Sequence, residues 1–145
     1  MAVEIFTDGS YYPRSQQGGW AFCIYDQGYW FANSGCEYHT TNDRMELLAV
    51  IQALRCLSYP VAATVYCDNQ YVVHTINQWL YYWSRNNWHT KGGKLAANLD
   101  LLSQLWPLIN YHRVTAVWVK GHSRTQDRLH GMNNWMDQKA KAAHQ

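Results

Sequence analysis

The sequence predicts an α/β fold built on a mixed β-sheet that begins antiparallel and continues parallel. Three strand-like segments open the chain, and later apolar segments of strand length alternate with segments of helical length. The chain has 145 residues, of which 48% are hydrophobic and 15% charged. That size and composition suit one domain over residues 1–145 with its own core, and exclude a disordered or low-complexity chain.

The first three strands are predicted to pair antiparallel. Val3–Asp8 alternates between two faces and is expected to end at Gly9. Gly19–Tyr25 and Tyr29–Cys36 are apolar, aromatic runs with three residues between them. Gly28, the last of those three, suits a tight hairpin turn.

The rest of the chain is expected to alternate helices and strands. Met45–Leu57 is apolar nearly all round, which favours a buried helix, and Thr40 or Thr41 can cap it. Ala62–Cys67 is predicted to be a short strand. The remaining predicted elements are a helix over Gln70–Leu80, a basic connection over residues 84–97, a helix over Asn98–Ile109 weakened by Pro107, a strand over Val114–Val119, a polar loop over Gly121–Gly131 and a closing helix over Met132–Ala143.

No segment indicates a membrane or secreted protein. Apolar runs fall well short of the roughly 20 residues that a membrane span needs, and the N-terminus lacks a signal-peptide pattern. We therefore expect a cytoplasmic protein with no membrane partner. The four cysteines lack CxxC spacing, so buried reduced thiols are favoured over disulfides or a zinc site.

Charge is distributed unevenly although the net charge is only +2. Residues 1–84 carry three Lys/Arg and seven Asp/Glu, whereas residues 85–145 carry nine Lys/Arg and three Asp/Glu. An acidic half beside a basic half is consistent with an acidic site next to a surface for a polyanion, and equally with an ordinary solvated surface.

Four of the ten acidic residues are candidates for a metal site. Asp8 and Asp68 end predicted strands, Glu46 lies on an apolar helix, and Asp137 lies in the last helix. Each has a structural alternative: a turn residue for Asp8, a helix cap for Asp68, an exposed helix stripe for Glu46 and a dipole interaction for Asp137. Together they fit Mg²⁺, which takes carboxylate ligands beside substrate phosphates and works in pairs on phosphodiesters.

His122 opens the loop that follows the last predicted strand. A histidine beside acidic residues can move a proton near neutral pH, although most of the seven histidines are expected to have no such role.

Five segments in order resemble the signature segments of type 1 ribonuclease H. They are Phe6–Ser10, Thr41–Leu47, Cys67–Val72, Trp118–His122 and Asn133–Ala140. The resemblance covers nearly the whole chain and implies a stand-alone, single-domain enzyme with a five-stranded mixed sheet flanked by helices. It implies endonucleolytic hydrolysis of the RNA strand of RNA–DNA hybrids, leaving 5′-phosphate and 3′-hydroxyl ends, with two Mg²⁺ ions that Mn²⁺ can replace.

The resemblance also assigns residues. Asp8, Glu46, Asp68 and Asp137 match the metal-binding carboxylates, and His122 matches a mobile histidine for product release or proton transfer. The positions expected to contact the hybrid are Gly9, Thr41, Asn42, Arg44, Gln70, Trp83, Trp88, Lys91 and Lys94. For Trp79, packing is favoured over contact with nucleic acid. No obligate protein partner is evident, and a monomer is expected.

Four departures from the family pattern accompany these assignments. Asp43 replaces a common asparagine, and Arg14 lies where an asparagine often contacts substrate. The segment after His122 is longer than expected, and Asp127 within it is an alternative fourth carboxylate. There are two alternative functions: a nuclease of the same fold that acts on DNA, and a non-catalytic module that binds hybrids.

Overall fold

The computed structural model describes residues 2–120, which form a five-stranded sheet in the order β3-β2-β1-β4-β5. The strands are β1 (Ala2–Tyr12), β2 (Gln17–Asp26), β3 (Tyr29–Glu37), β4 (Ala62–Cys67) and β5 (Arg113–Trp118). The helices are α1 (Asn42–Arg55), α2 (Gln70–His74), α3 (Leu80–Ser84) and α4 (Leu99–Tyr111), with a π-helical turn over Thr75–Trp79 between α2 and α3. The predicted mixed α/β sheet is confirmed.

The first three strands form the predicted antiparallel meander. β1 pairs with β2 from Glu4 to Tyr12, and β2 pairs with β3 up to Asp26 and Tyr29. Gln27 and Gly28 connect β2 to β3 with φ angles of 51° and 89°. Two central residues with positive φ make the tight turn whose twist matches that of the flanking strands.

Helix α1 forms the centre of the core. Thr41 caps it, because its side chain accepts a hydrogen bond of 3.2 Å from the backbone N–H of Arg44. Most residues from Met45 to Leu54 are buried against the sheet and α4. The burial expected for this helix from the sequence is therefore confirmed. Glu46 is the one acidic residue among its buried positions.

The parallel pairing of β4 places its carboxyl end close to the Asp8 region of β1. β4 pairs in parallel with both β1 and β5, with Phe6 opposite Tyr66 and Cys67 opposite Trp118. The carboxyl end of β4 therefore lies beside β1 near Asp8. Such edges of parallel strands are where ligands bind in open α/β sheets.

The helical segment after β4 is longer than the sequence predicts and contains a π-helical turn. It runs from Gln70 to Ser84 without a break in helical structure. Within the π-helical turn, the side-chain amide of Asn77 donates to the Ala116 carbonyl and accepts from the Ala116 N–H, each at 2.9 Å. Asn77 thus satisfies the backbone of β5 on the side away from β4 and ties this segment to the sheet.

Replacing Asn77 by Ala should lower the free energy of unfolding by about 2 kcal/mol, because two partly buried hydrogen bonds are lost. Alanine is a better helix former than asparagine, so helix propensity cannot account for such a loss. Urea unfolding followed by circular dichroism measures the change. Gln78→Ala, at the neighbouring exposed position, is the control, and equal stability of the two variants would contradict the role of Asn77.

Two sequence expectations need correction. Cys23 and Cys67 are buried, but Cys36 and Cys56 are exposed, so the prediction of buried thiols holds for only two of the four. All four are free, and burial raises the pKa of the Cys23 thiol to about 11. Pro107 lies inside α4, which continues to Tyr111.

No helix within residues 2–120 is long and apolar enough to cross a membrane. The loop and closing helix predicted over Gly121–Gly131 and Met132–Ala143 lie outside the described residues.

Candidate active site

Three carboxylates from three different elements meet at the carboxyl end of β4. Asp8 comes from β1, Glu46 from the second turn of α1 and Asp68 from the residue after β4. One carboxylate oxygen from each lies within 4.8 Å of the others. Asp8 and Glu46 are buried and Asp68 is partly exposed, so the cluster opens to solvent on one side.

Gly9 allows β1 to approach α1 closely enough to bring Asp8 to Glu46. A Cβ atom at position 9 would lie 2.7 Å from the Glu46 backbone nitrogen and 2.9 Å from the Met45 carbonyl carbon. The backbone N–H of Gly9 donates to Asp8 Oδ1 at 2.9 Å. The structure thus gives this glycine a packing reason, whereas the sequence suggested an approach to RNA.

Glu46 experiences opposing electrostatic effects. Burial raises its pKa well above the ordinary value, and the nearby charges of Asp68 and Asp43 raise it further. Hydrogen bonds with Asp8 and with the Gly9 backbone lower the pKa in part. Among the described residues, Glu46 Oε2 is buried without a hydrogen-bond partner. A buried carboxylate oxygen of this kind is costly unless it meets a proton or a cation.

Neighbouring side chains fix the backbone around Asp68. The indole N–H of Trp118, on β5, donates to the Asp68 carbonyl at 3.2 Å. The side chain of Asn69 accepts from the Val72 N–H at 3.2 Å and so caps α2. The same amide donates to Asp43 Oδ1 at 3.1 Å, which links the start of α2 to the first turn of α1. The elements that carry Glu46 and Asp68 are therefore joined directly.

Asn69→Ala should lower the free energy of unfolding by about 1–2 kcal/mol, since it removes the α2 cap and the hydrogen bond to Asp43 together. Asn69→Ser retains a capping hydroxyl and should recover part of the loss. Urea denaturation of the two variants separates the two contributions. A wild-type midpoint for Asn69→Ala would mean that this side chain does not join the two helices.

An open cavity of about 440 Å³ surrounds the carboxylates. Three residues expected to contact the hybrid line it: Gly9 on β1, Asn42 at the start of α1 and Gln70 at the start of α2. Asn69 lines it as well. Tyr11 and Tyr12 also line it, although neither was predicted from the sequence to do so. The extension of β1 beyond Gly9, where Tyr11 and Tyr12 pair with Gly18 and Gln17 of β2, places them there.

Two other expected contacts make hydrogen bonds within the protein. Thr41 uses its side chain to cap α1. The Arg44 guanidinium binds both oxygens of Asp100, at the start of α4, with distances of 2.9 and 2.7 Å. This pairing raises the pKa of Arg44 and lowers that of Asp100. The Asp100 side chain is 60% exposed, so the ion pair contributes little to stability.

The basic connection after α3 brings no residue to the carboxylates. Trp83 and Trp88 are partly buried and pack against the core, while Lys91 and Lys94 are exposed. Trp79 is partly buried, and its ring centroid lies 5.5 Å from that of Trp83. Tyr81 and Tyr82, which were not predicted from the sequence as contacts, are 59% and 45% exposed beside these rings.

Three sequence-predicted residues lie outside the described residues: His122, Asp137 and the alternative carboxylate Asp127. The described cluster therefore contains three of the four expected carboxylates. Its donor set consists of hard carboxylate oxygens, one of them buried without a partner in the described part of the chain. Such a set suits a divalent cation of the Mg²⁺ type.

The chain is similar to known proteins of one family. The RNase H family model matches residues 1–145. Ribonuclease H of Hydrogenovibrio crunogenus is 40% identical over 141 residues, which are 97% of this chain and 94% of the relative. Ribonuclease HI of Pasteurella multocida is 40% identical over 140 residues, covering 97% and 88%.

A solved structure supports the same fold. The crystal structure of LC9-RNase H1, described as a type 1 RNase H with the type 2 active-site motif, superposes with a TM-score of 0.80 at 25% identity. The match covers 99% of this chain and 72% of that one.

Proposed function

The chain belongs to the ribonuclease H family, and we propose that it hydrolyses the RNA strand of RNA–DNA hybrids by two-metal-ion catalysis, leaving 5′-phosphate and 3′-hydroxyl ends. The observation that carries the proposal is the convergence of Asp8, Glu46 and Asp68 within 4.8 Å at a solvent-open cavity. Three acidic groups would repel a polyanion, so the cluster is useful to a nucleic-acid enzyme only with bound cations.

Asp8, Glu46 and Asp68 would hold the ions, with Asp137 as the fourth carboxylate. Bound Mg²⁺, or Mn²⁺ in its place, would polarise the scissile phosphate and lower the pKa of a coordinated water. The Oε2 atom of Glu46 suits this role because it is buried and has no hydrogen-bond partner in the described part of the chain. The Trp118 indole and the Asn69 amide hold the backbone around Asp68 in place, which limits the reorganisation needed when substrate binds.

Asn42 and Gln70 are proposed to contact the RNA strand, since they line the same cavity as the carboxylates. Their amide groups can bond to minor-groove edges and to 2′-hydroxyls, which distinguish RNA from DNA. Gly9, Thr41, Arg44, Trp83, Trp88, Lys91 and Lys94 complete the proposed contact set. Arg44 would need to exchange Asp100 for a phosphate oxygen, and its exposed ion pair makes that exchange inexpensive. His122 would move a proton or help release product.

Cleavage of matched duplexes tests the proposal. We expect the monomeric protein to cut the RNA strand of an end-labelled hybrid in Mg²⁺, and to leave the DNA strand, an RNA duplex and a DNA duplex intact. A chelator should abolish cutting, and restored Mg²⁺ or Mn²⁺ should recover it. Cutting of the DNA duplex would indicate a DNA nuclease of this fold, whereas binding without cutting in either metal would indicate a non-catalytic module.

A further inference from the structure

A second cavity lies away from the carboxylates, where the π-helical turn and α3 face the connection that follows them. It measures about 620 Å³, within the range of roughly 300–1,000 Å³ typical of sites for small ligands. Trp79, Tyr81, Tyr82 and Trp83 form most of its lining, and Gln78, Thr90 and Lys91 complete it. We refer to it as the aromatic pocket.

The aromatic rings of this pocket make some contacts within the protein but remain partly exposed. Trp79 and Trp83 have ring centroids 5.5 Å apart, and Trp79 also lies 6.1 Å from Tyr71 near the start of α2. Tyr81 and Tyr82 are 59% and 45% exposed. The Arg85 guanidinium lies 4.8 Å from the centre of the Tyr81 ring, so a cation already stacks on one face of that ring.

The surrounding charge favours an anionic ligand. From Asn69 to Leu99 the sequence contains no Asp or Glu, whereas it contains Arg85, Lys91 and Lys94. A ligand for this pocket should therefore combine flat apolar rings with negative charge. Nucleic acid has both features, since each base offers a π face and each phosphate a negative charge.

Stacking distinguishes unpaired from paired nucleotides. Inside a duplex, each base face is covered by the neighbouring base pair, so a protein ring cannot stack on it without unstacking the helix. Bases of a single strand are accessible, and protein rings stack on them with little sequence preference. We propose that the aromatic pocket binds unpaired nucleotides of a single strand that continues from the hybrid, with Tyr81 and Tyr82 stacking on bases and Lys91 near the backbone.

Distance along the helix makes this arrangement feasible. Tyr81 follows Asp68 by thirteen residues, nearly all of them helical, which corresponds to about 20 Å at ~1.5 Å per residue. A strand advancing about 3.4 Å per nucleotide spans that distance in roughly six nucleotides. The inference rests on the proposed action on nucleic acid, but it concerns binding and needs no metal.

Binding of short single strands in chelator tests the pocket separately from catalysis. A fluorescein-labelled ten-nucleotide oligothymidylate and an abasic ten-mer of equal charge are titrated with protein and followed by anisotropy. We expect the oligothymidylate to bind about tenfold more tightly than the abasic strand, because stacking adds to the shared phosphate contacts. Equal affinities would overturn the proposal and leave a surface that recognises charge alone.

Substitutions locate the effect. Tyr81→Ala and Tyr82→Ala should each remove most of the tenfold preference, whereas Tyr82→Phe should retain it because the ring remains. Lys91→Gln should weaken both ligands to a similar extent. Tyr59→Ala, at a tyrosine that is 65% exposed and lies outside the pocket, is the matched control. A preference that survives both alanine substitutions would overturn the assignment to this pocket.

Hybrids with extensions connect the pocket to the substrate. Still in chelator, a hybrid with a ten-nucleotide single-stranded extension on one of its ends should bind about tenfold more tightly than the blunt hybrid. An abasic extension should give no such gain, and the gain should disappear in Tyr82→Ala. Loss of RNA cleavage by the wild type would refute the proposed enzyme without affecting these binding results. Equal binding of blunt and extended hybrids, for extensions at every end, would refute the pocket's role without affecting the enzyme.

Discussion

Replacing Asp68 by Asn is expected to reduce RNA-strand cleavage at least about a thousandfold. Asp68 is the most exposed of the three clustered carboxylates and lines the cavity, where ions and substrate would meet. Loss of a metal-ligating charge removes several kcal/mol of transition-state stabilisation, and about 1.4 kcal/mol corresponds to a tenfold change in rate. Single-turnover cleavage of a labelled hybrid in Mg²⁺ measures the effect.

The substitution itself should leave the fold intact. Asparagine has nearly the same shape as aspartate, and the interactions of the Asp68 carbonyl with Trp118 do not involve the side chain. Asp26→Asn is the matched control and should cleave at the wild-type rate. Asp26 is the last residue of β2, next to the β2–β3 turn. Cleavage by Asp68→Asn within tenfold of the control would remove Asp68 from the proposed metal site.

The first three strands could be predicted from the sequence because their local residue pattern agrees with the way they pair in the sheet. Alternation in β1, two aromatic runs and a glycine turn predict the antiparallel meander, and the structure has it. The end of β1 was predicted too early, since Gly9 usually weakens a strand. In the structure Gly9 is required by contact with the backbone of α1, while β1 continues to Tyr12 by pairing with β2. That contact joins residues far apart in sequence, so no local pattern reveals it.

The helix after β4 shows the same limit. Its predicted end at Leu80 ignores the π-helical turn, which coincides with the contact between Asn77 and Ala116 on β5. For the site, the strand ends and the acidic residue on an apolar helix made Asp8, Glu46 and Asp68 candidates, each with a structural alternative. The resemblance to type 1 ribonuclease H assigned them as metal-binding carboxylates. Their separation, the tie between Asp43 and Asn69, and the pairing of Arg44 with Asp100 depend on how the helices pack, which the sequence pattern does not specify.

Glu46→Gln is expected to stabilise the metal-free protein at neutral pH while it weakens stabilisation by Mg²⁺. Burial and Asp68 raise the pKa of Glu46 above its ordinary value of 4.5, so the folded state holds this proton more tightly than the unfolded state does. Stability of the metal-free wild type should therefore fall as the pH rises from about 4.5 through the raised pKa. Glutamine carries no charge at any of these pH values and removes that loss.

Thermal unfolding in chelator between pH 5 and pH 8 measures this effect. At pH 7.5 the variant should exceed the wild type by about 1–3 kcal/mol, the usual cost of a buried polar group left without compensation. Mg²⁺ at about a hundred times its dissociation constant should stabilise the wild type by about 2.7 kcal/mol, and the variant by much less. Glu37→Gln, at the partly exposed end of β3, should change neither quantity.

The lower stability of the metal-free protein and its stabilisation by Mg²⁺ would have the same physical cause. A cation that relieves the repulsion between Glu46 and Asp68 binds only because the fold has already brought the two carboxylates together. Metal binding would thus restore the stability that the metal-free protein lacks at neutral pH, and the same buried charge that weakens the fold would favour a bound cation. A variant less stable than the wild type in chelator at pH 7.5 would show instead that Glu46 stabilises the fold without metal.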